Sequence, residues 1–221
     1  MRLSHIALAA AGVLLVAAGH DDARAGRDRI EGSGRLETRT LDLEAFDAVE
    51  LGGAFDVTIT FGEQQRVEAT LDDNLFDNLE AEVSGGELRL GWDKNCDASN
   101  DCEFRITMVA LREFSLHGAG DVEIAGYAGD RLELNLRGAG DMELDGEVGH
   151  LEIGLQGAGD IDARDLKAEH VEISLSGVGD CEVYASVSID ARLSGVGDLK
   201  YWGNPEHRKT KVTGIGDIKA K

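Results

Sequence analysis

His117-Gly118-Ala119-Gly120-Asp121-Val122-Glu123-Ile124 returns as Arg137-Gly138-Ala139-Gly140-Asp141-Met142-Glu143-Leu144, and the pattern keeps returning. The tetrad Gly-x-Gly-Asp occurs as Gly118-x-Gly120-Asp121, Gly138-x-Gly140-Asp141, Gly157-x-Gly159-Asp160, Gly177-x-Gly179-Asp180, Gly195-x-Gly197-Asp198 and Gly214-x-Gly216-Asp217. The steps between first glycines are 20, 19, 20, 18 and 19 residues. A weaker copy is Gly53-Ala54-Phe55-Asp56, and Gly32-Ser33-Gly34 is read as a further one. Repetition at a fixed period is the signature of a stacked architecture.

The flanks of the tetrad define the unit. Two residues before each first glycine stand Leu116, Leu136, Leu155, Leu175, Leu193 and Val212. One residue after each aspartate stand Val122, Met142, Ile161, Cys181, Leu199 and Ile218. Alternation with period two on both sides of a glycine turn predicts strand, turn, strand. A unit this short buries one apolar face only by stacking on its neighbours. The expected fold is therefore all-β. It is a single parallel β-helix (β-solenoid) with one repeat per coil, about 19–20 residues each in the C-terminal half, and rungs about 4.8 Å apart. Glycine permits φ > 0 at the corner, and the aspartate can fold back onto nearby backbone N–H groups. Cys181 falls in the inward register and reads as a small core hydrophobe.

Residues 26–117 are less regular but still β-rich. Phe46–Leu51, Phe55–Phe61, Leu88–Trp92 and Phe104–Val109 alternate, and Asp72–Leu79 is the one short helix expected. No linker divides 26–221, which is read as one elongated domain. Ahead of it, Arg2, the apolar run Ile6–Ala18 and Ala23-Arg24-Ala25 have the layout of a cleaved signal peptide over 1–25. Thirteen residues are too few to span a bilayer. Export to the periplasm or the cell surface is expected, with no transmembrane segment after cleavage.

Phe46-Asp47, Gly53-Ala54-Phe55-Asp56-Val57-Thr58-Ile59, the Gly-x-Gly-Asp repeats and Tyr201-Trp202-Gly203-Asn204-Pro205 together resemble the bacterial head GIN domain family, labelled auto-transporter adhesins. The likeness covers about residues 42–221. It implies an exported, right-handed β-helical domain and transfers no catalytic or binding residue. Many members look like lipoproteins, whereas this chain has Ala-x-Ala and no lipobox cysteine.

Charge sets further limits. The 221 residues carry 43 acidic and 22 basic side chains, a net of −21. Residues 1–25 hold two of each sign, so their removal leaves −21. Such a surface repels nucleic acid. One proline excludes collagen and proline-rich disorder. Stacked rungs would align Glu113, Glu133, Glu152, Glu172 and Asp190 in one ladder, and Glu123, Glu143, Asp162 and Glu182 in another. The repeat aspartates would form a third. Like charges at rung spacing repel by about 0.9 kcal/mol per pair in water. The ladders are read as a solubilising face, with divalent-cation binding as the alternative. Lys200, Arg208, Lys209, Lys211, Lys219 and Lys221 make the last coils basic, as an edge-protecting cap or a head-to-tail stacking end.

Two clusters invite chemistry. Asp93, Asn95, Asp97 and Asp101 place oxygen ligands along a polar loop, a candidate calcium site. Ala98 and Phe104 replace the glycine and glutamate of an EF-hand loop, so that motif fails. Cys96 and Cys102 flank the loop and are expected to close it as a disulfide. His150 and His170 are in phase on adjacent coils, a two-imidazole metal candidate lacking a third ligand. No His-Glu-x-x-His, Gly-x-Ser-x-Gly or P-loop occurs, and the glycine repeats lack the third glycine of a dinucleotide fold. The reading is a non-catalytic envelope or surface interaction module without a cofactor, its partner a protein or glycan. The alternative is a cation-binding envelope protein, and a carbohydrate-active β-helix enzyme is more distant.

Overall fold

A computed structural model describes residues 29–221. The expected signal peptide lies outside the described residues. The strands are β1 (Ile30–Glu31), β2 (Leu36–Leu41), β3 (Ala48–Leu51), β4 (Asp56–Phe61), β5 (Arg66–Asp72), β6 (Leu79–Ser84), β7 (Glu87–Trp92), β8 (Cys96–Asp97) and β9 (Glu103–Met108). Then come β10 (Glu113–Leu116), β11 (Val122–Leu136), β12 (Met142–Leu155), β13 (Ile161–Leu175), β14 (Cys181–Leu193), β15 (Leu199–Trp202), β16 (His207–Val212) and β17 (Ile218–Ala220). The helix expected over 72–79 is only a 3-10 turn, Phe76–Asn78.

From β10 onward the chain is a parallel β-solenoid in the register that the repeat dictates. Val122 pairs with Met142, Met142 with Ile161, Ile161 with Cys181, and Cys181 with Leu199. On the other face Leu116, Leu136, Leu155, Leu175 and Leu193 are partners in series, each sealed from solvent. Each fully buried side chain of this size contributes about 1.5–3 kcal/mol. Cys181 is buried as expected. Burial first, then the carboxylates of Glu182 and Asp162, push its thiol up to about 12, so it stays protonated and unreactive.

The corners explain the tetrad. Around Asp141, backbone N–H groups alternate between neighbouring coils. Ala139 donates to Gly118 O at 3.0 Å, Gly140 to Ala158 O at 3.1 Å, and Met142 to Asp160 O at 2.9 Å. The Asp141 N–H falls to the preceding coil, where Asp121 Oδ1 accepts it at 3.1 Å. The bond recurs from Asp160 to Asp141, Asp180 to Asp160, Asp198 to Asp180 and Asp217 to Asp198, at 2.7–2.9 Å. The aspartate thus ties one coil to the next, rather than fixing its own turn. Gly140 has φ 142°, and a Cβ there would lie 2.0 Å from Gly120 O. Only glycine allows the coils to approach this closely.

The N-terminal half departs from serial stacking. β3 and β4, joined through Gly53-Ala54-Phe55-Asp56, form a coil that lies between β7/β9 on one side and β10/β11 on the other. The first coil in sequence is therefore the second in space. Its corner is a genuine repeat, since Asp121 N donates to Asp56 Oδ1 at 2.9 Å across 65 positions. Antiparallel strands finish this end: β5 pairs with β9 and β2, and β6 pairs with β7. Gly32-Ser33-Gly34 is not a repeat corner. Gly34 N instead donates to Asp72 Oδ1 at 2.8 Å.

Gly140→Ala is expected to lower stability by about 3 kcal/mol or more, because it combines a forbidden φ with a backbone clash. Asp160→Ala removes one inter-coil bond and should cost only about 1 kcal/mol. Urea unfolding of the two variants checks this order, and equal losses would contradict the account of the corner.

Candidate functional site

Four surfaces of the coil bear on function: the 93–102 loop, the acid ladders, the glycine corner and a notch in the later coils.

The loop occupies the place that a glycine corner takes in other coils, between β7 and β9. β1 runs along β8 within it: Ile30 N donates to Asn95 O and Gly32 N to Asp97 O, both at 2.8 Å. Its organiser is Asp72, fully buried at the end of β5. Asp72 Oδ1 accepts from Gly34 N and from Asn100 Nδ2, at 2.8 and 2.9 Å, and Oδ2 accepts from Ser99 N at 2.7 Å. Burial works to raise the Asp72 carboxyl. The hydrogen bonds from Ser99, Asn100 and Gly34 outweigh it and hold the pKa below the usual aspartate value. Sequence reading missed this residue because its partners lie 27 to 38 positions away.

The expected disulfide is not formed: Cys96 and Cys102 are separate thiols. Cys102 joins the core, its Sγ 3.9 Å from Asn100 O, and burial foremost raises its thiol to about 11. The Asp72 carboxylate closes the loop in place of a covalent bridge. The calcium ligands do not assemble either. Asp93 Oδ1 accepts from Asn78 Nδ2 at 3.0 Å, and Asp97 pairs with Arg29 at 3.3 Å. Among the described residues no three His, Cys, Asp or Glu side chains, Asp93, Asp97 and Asp101 included, converge on a point that could hold a metal.

The acid ladders do stack. Glu50, Glu113, Glu133, Glu152, Glu172 and Asp190 are partners in series, and so are Glu123, Glu143, Asp162 and Glu182. Basic residues stand at the ends and alongside. Arg89 follows Glu50 in register, and Lys209 meets Asp190 at 2.8 Å. Arg164 Nε and Lys200 Nζ reach Glu182 at 3.0 and 2.9 Å. The repeat aspartates direct Oδ1 at backbone N–H groups. His150 and His170 are in register with ring centroids 6.3 Å apart, but His170 Nδ1 sits 2.8 Å from Ser188 Oγ, and Glu172 stands 3.8 Å from His150 Nε2 without forming, among the described residues, a group of three that could hold a metal.

At the corner, the residue between the two glycines points outward. Ala54, Ala119, Ala139, Ala158, Val178, Val196 and Ile215 bridge in one column. The last three are larger and exposed, by 57%, 44% and 73%. An apolar ridge therefore crosses three adjacent rungs of a strongly acidic protein.

The notch arises from unequal coils. The step from Gly157 to Gly177 is 20 residues and the next is 18. Ala163 pairs with Val183, but the next pair is Lys167 with Tyr184, so Arg164, Asp165 and Leu166 bulge from β13 over a shorter β14. Tyr184 pairs in turn with Trp202. Arg164, Asp165, Lys167, Tyr184, Trp202 and Gly203 line the resulting cleft of about 450 Å3.

Two outcomes follow from this chemistry. Asp72→Ala should destabilise by roughly 3 kcal/mol, because it strands buried donors. The Asp72 carboxyl has a lowered folded pKa, so its stabilisation is full above the ordinary aspartate range and fades as pH falls through the folded value. Urea titrations at pH 7 and in acid should show the wild type converging on Asp72→Asn, and a constant gap would contradict this. Secondly, thermal midpoints in calcium and in EDTA at matched ionic strength should coincide, and a rise of many degrees in calcium would overturn the reading of the ladders as a solubilising face.

Among the described residues no helix is long and apolar enough to cross a membrane. No curated protein matches this chain. Among solved structures it is similar to one titled a "putative adhesin" from Bacteroides fragilis. Identity is 27% and the TM-score is 0.75, with 87% of this chain and 100% of that one covered. A second "putative adhesin", from Parabacteroides merdae, shares the fold at 18% identity and TM-score 0.54, with 87% and 99% covered. The family profile described as "Putative auto-transporter adhesin, head GIN domain" matches residues 45–205. With the glycine corners and stacked coils in view, the chain belongs to the head GIN domain family.

Proposed function

We propose that this chain is an exported, non-catalytic interaction module. Cleaved after residue 25, it would act in the periplasm or at the cell surface as one β-helical domain over 26–221. The observation that carries the reading is the ridge of Val178, Val196 and Ile215. Exposed apolar side chains on consecutive rungs lie outside the buried core, and a net charge of −21 would otherwise favour a fully polar face. The glycines and aspartates of the corner are committed to holding coils together, which supports a scaffold rather than a reaction centre. The adhesin label of the family and of the Bacteroides fragilis structure agrees with a surface role.

The test uses the full chain, produced with export and fluorescently labelled. Saturable retention on intact bacterial cells or isolated envelopes is expected. The triple variant Val178→Ser, Val196→Ser, Ile215→Ser should reduce retention several-fold while its circular dichroism is unchanged. Absence of saturable retention, or indifference to the triple variant, would sink the proposal.

A further inference from the structure

The notch beside β13, β14 and β15 lies away from the corner ridge and has the makings of a second site. Lys167, Tyr184 and Trp202 follow one another on three rungs. Both aromatic side chains are part-exposed, and they line the cleft from adjacent rungs about 4.8 Å apart. Two consecutive left-handed residues fix the turn after Trp202. Gly203 has φ 97°, and Asn204, at φ 52°, is the one non-glycine residue with positive φ among the described residues. A Cβ on Gly203 would meet Ala185 O at 2.2 Å, and Pro205 is buried behind. The indole is thus held by backbone geometry that a simple coil would not need.

The charges of the notch select its ligand. The Arg164 guanidinium lies 5.8 Å from the Trp202 ring centroid, and Lys167 Nζ lies 4.6 Å from that of Tyr184. A cation already over one face of each ring disfavours a cationic guest and leaves only the other face for stacking. Arg164 is also paired with Asp162 and Glu182, and Lys167 with Asp165 at 3.6 Å. Little free positive charge is left for an anion, and the net charge of −21 repels a polyanion. What remains is an uncharged ligand with apolar faces and many hydroxyls. Aromatic rings stack on the C–H faces of a sugar, and Asp165, Arg164 and the backbone offer hydrogen-bond partners at the rim. The volume suits a small-ligand cleft, for which about 300–1,000 Å3 is usual.

We propose that the notch formed by Arg164, Asp165, Lys167, Tyr184 and Trp202 binds a segment of a neutral glycan chain, with Tyr184 and Trp202 as its stacking platform.

The test is a calorimetric titration of the full chain with cellohexaose, xylohexaose, laminarihexaose and chitohexaose, alongside a charged galacturonate hexamer and a neutral Gly/Ser hexapeptide. At least one neutral oligosaccharide is expected to bind. Trp202→Ala and Tyr184→Ala should each weaken it about tenfold. Trp202→Phe should recover part of the loss, and Trp92→Phe, elsewhere in the molecule, should change nothing. Asp165 is highly exposed, so Asp165→Asn keeps the test valid should an aromatic variant misfold, and it should weaken binding several-fold. The proposal is overturned if no neutral oligosaccharide binds, if only the galacturonate or the peptide binds, or if the notch variants bind as the wild type does. Such a failure leaves the corner ridge and its retention assay untouched, so the two readings fall separately.

Discussion

From the coil of Asp56 to the last, each coil is held to the next by an aspartate oxygen accepting the backbone N–H of the following coil's aspartate. That bond exists because the backbone must turn a corner without losing its ladder. Along the corner, successive N–H groups point to the coil behind and the coil ahead, and carbonyls receive all but one. The remaining donor is the aspartate's own, and the carboxylate of the preceding coil receives it. A buried or crowded N–H without a partner would be costly, and a short side chain that presents an acceptor oxygen at this position closes the accounting. The flanking glycines follow from the same constraint, since coils bonded this closely leave no room for a Cβ. From the corner, two strands run out in fixed register, and their inward side chains form the columns of the core.

The same device appears once more at the capped end, in a different setting. Asp72 also uses its carboxylate to receive backbone N–H groups, but from two separate segments around a loop. The corner aspartates from Asp56 to Asp198 make one such bond each and are at least partly exposed, whereas Asp72 makes three bonds while fully buried. Its role is to seal the end of the stack where the repeat is interrupted. Electrostatics then accommodate the acidity that these choices produce. Ladders of glutamate that would repel along the whole solenoid are flanked by Arg131, Arg164, Arg192, Lys200 and Lys209, each within ion-pair distance of a ladder carboxylate. Individually these exposed pairs contribute little, but they place opposite charge where repulsion would accumulate.

Regularity in this molecule belongs to the scaffold, and its distinctive surfaces are departures from regularity. The residue between the corner glycines grows from alanine to valine to isoleucine along the stack, and an inert corner becomes an apolar ridge. The coil through β13 is two residues longer than the coil through β14, and the mismatch opens the notch over Tyr184 and Trp202. A repeat protein can vary such outward positions freely because stacking energy resides in the inward columns and the corners.

By itself, the sequence determined the coils. Period-two alternation about Gly-x-Gly-Asp fixes which residues face inward, and Cys181 could be placed in the core by register alone. It also determined the acid ladders, since equal spacing puts equivalent residues on one line. The tertiary structure alone decided which coils are neighbours at the N-terminal end. Apolar alternation states which face of a strand is buried but not against which strand, so the insertion of β3 and β4 between the β7/β9 coil and the β10/β11 coil left no local trace. The same holds for Asp72, whose partners converge from distant segments, and for the loop cysteines, where proximity in sequence suggested a bridge that folding did not form. The notch needed the fold most of all. Residues 164, 165, 167, 184 and 202 become one surface only when unequal coils are stacked, because side chains meet by rung and not by sequence distance.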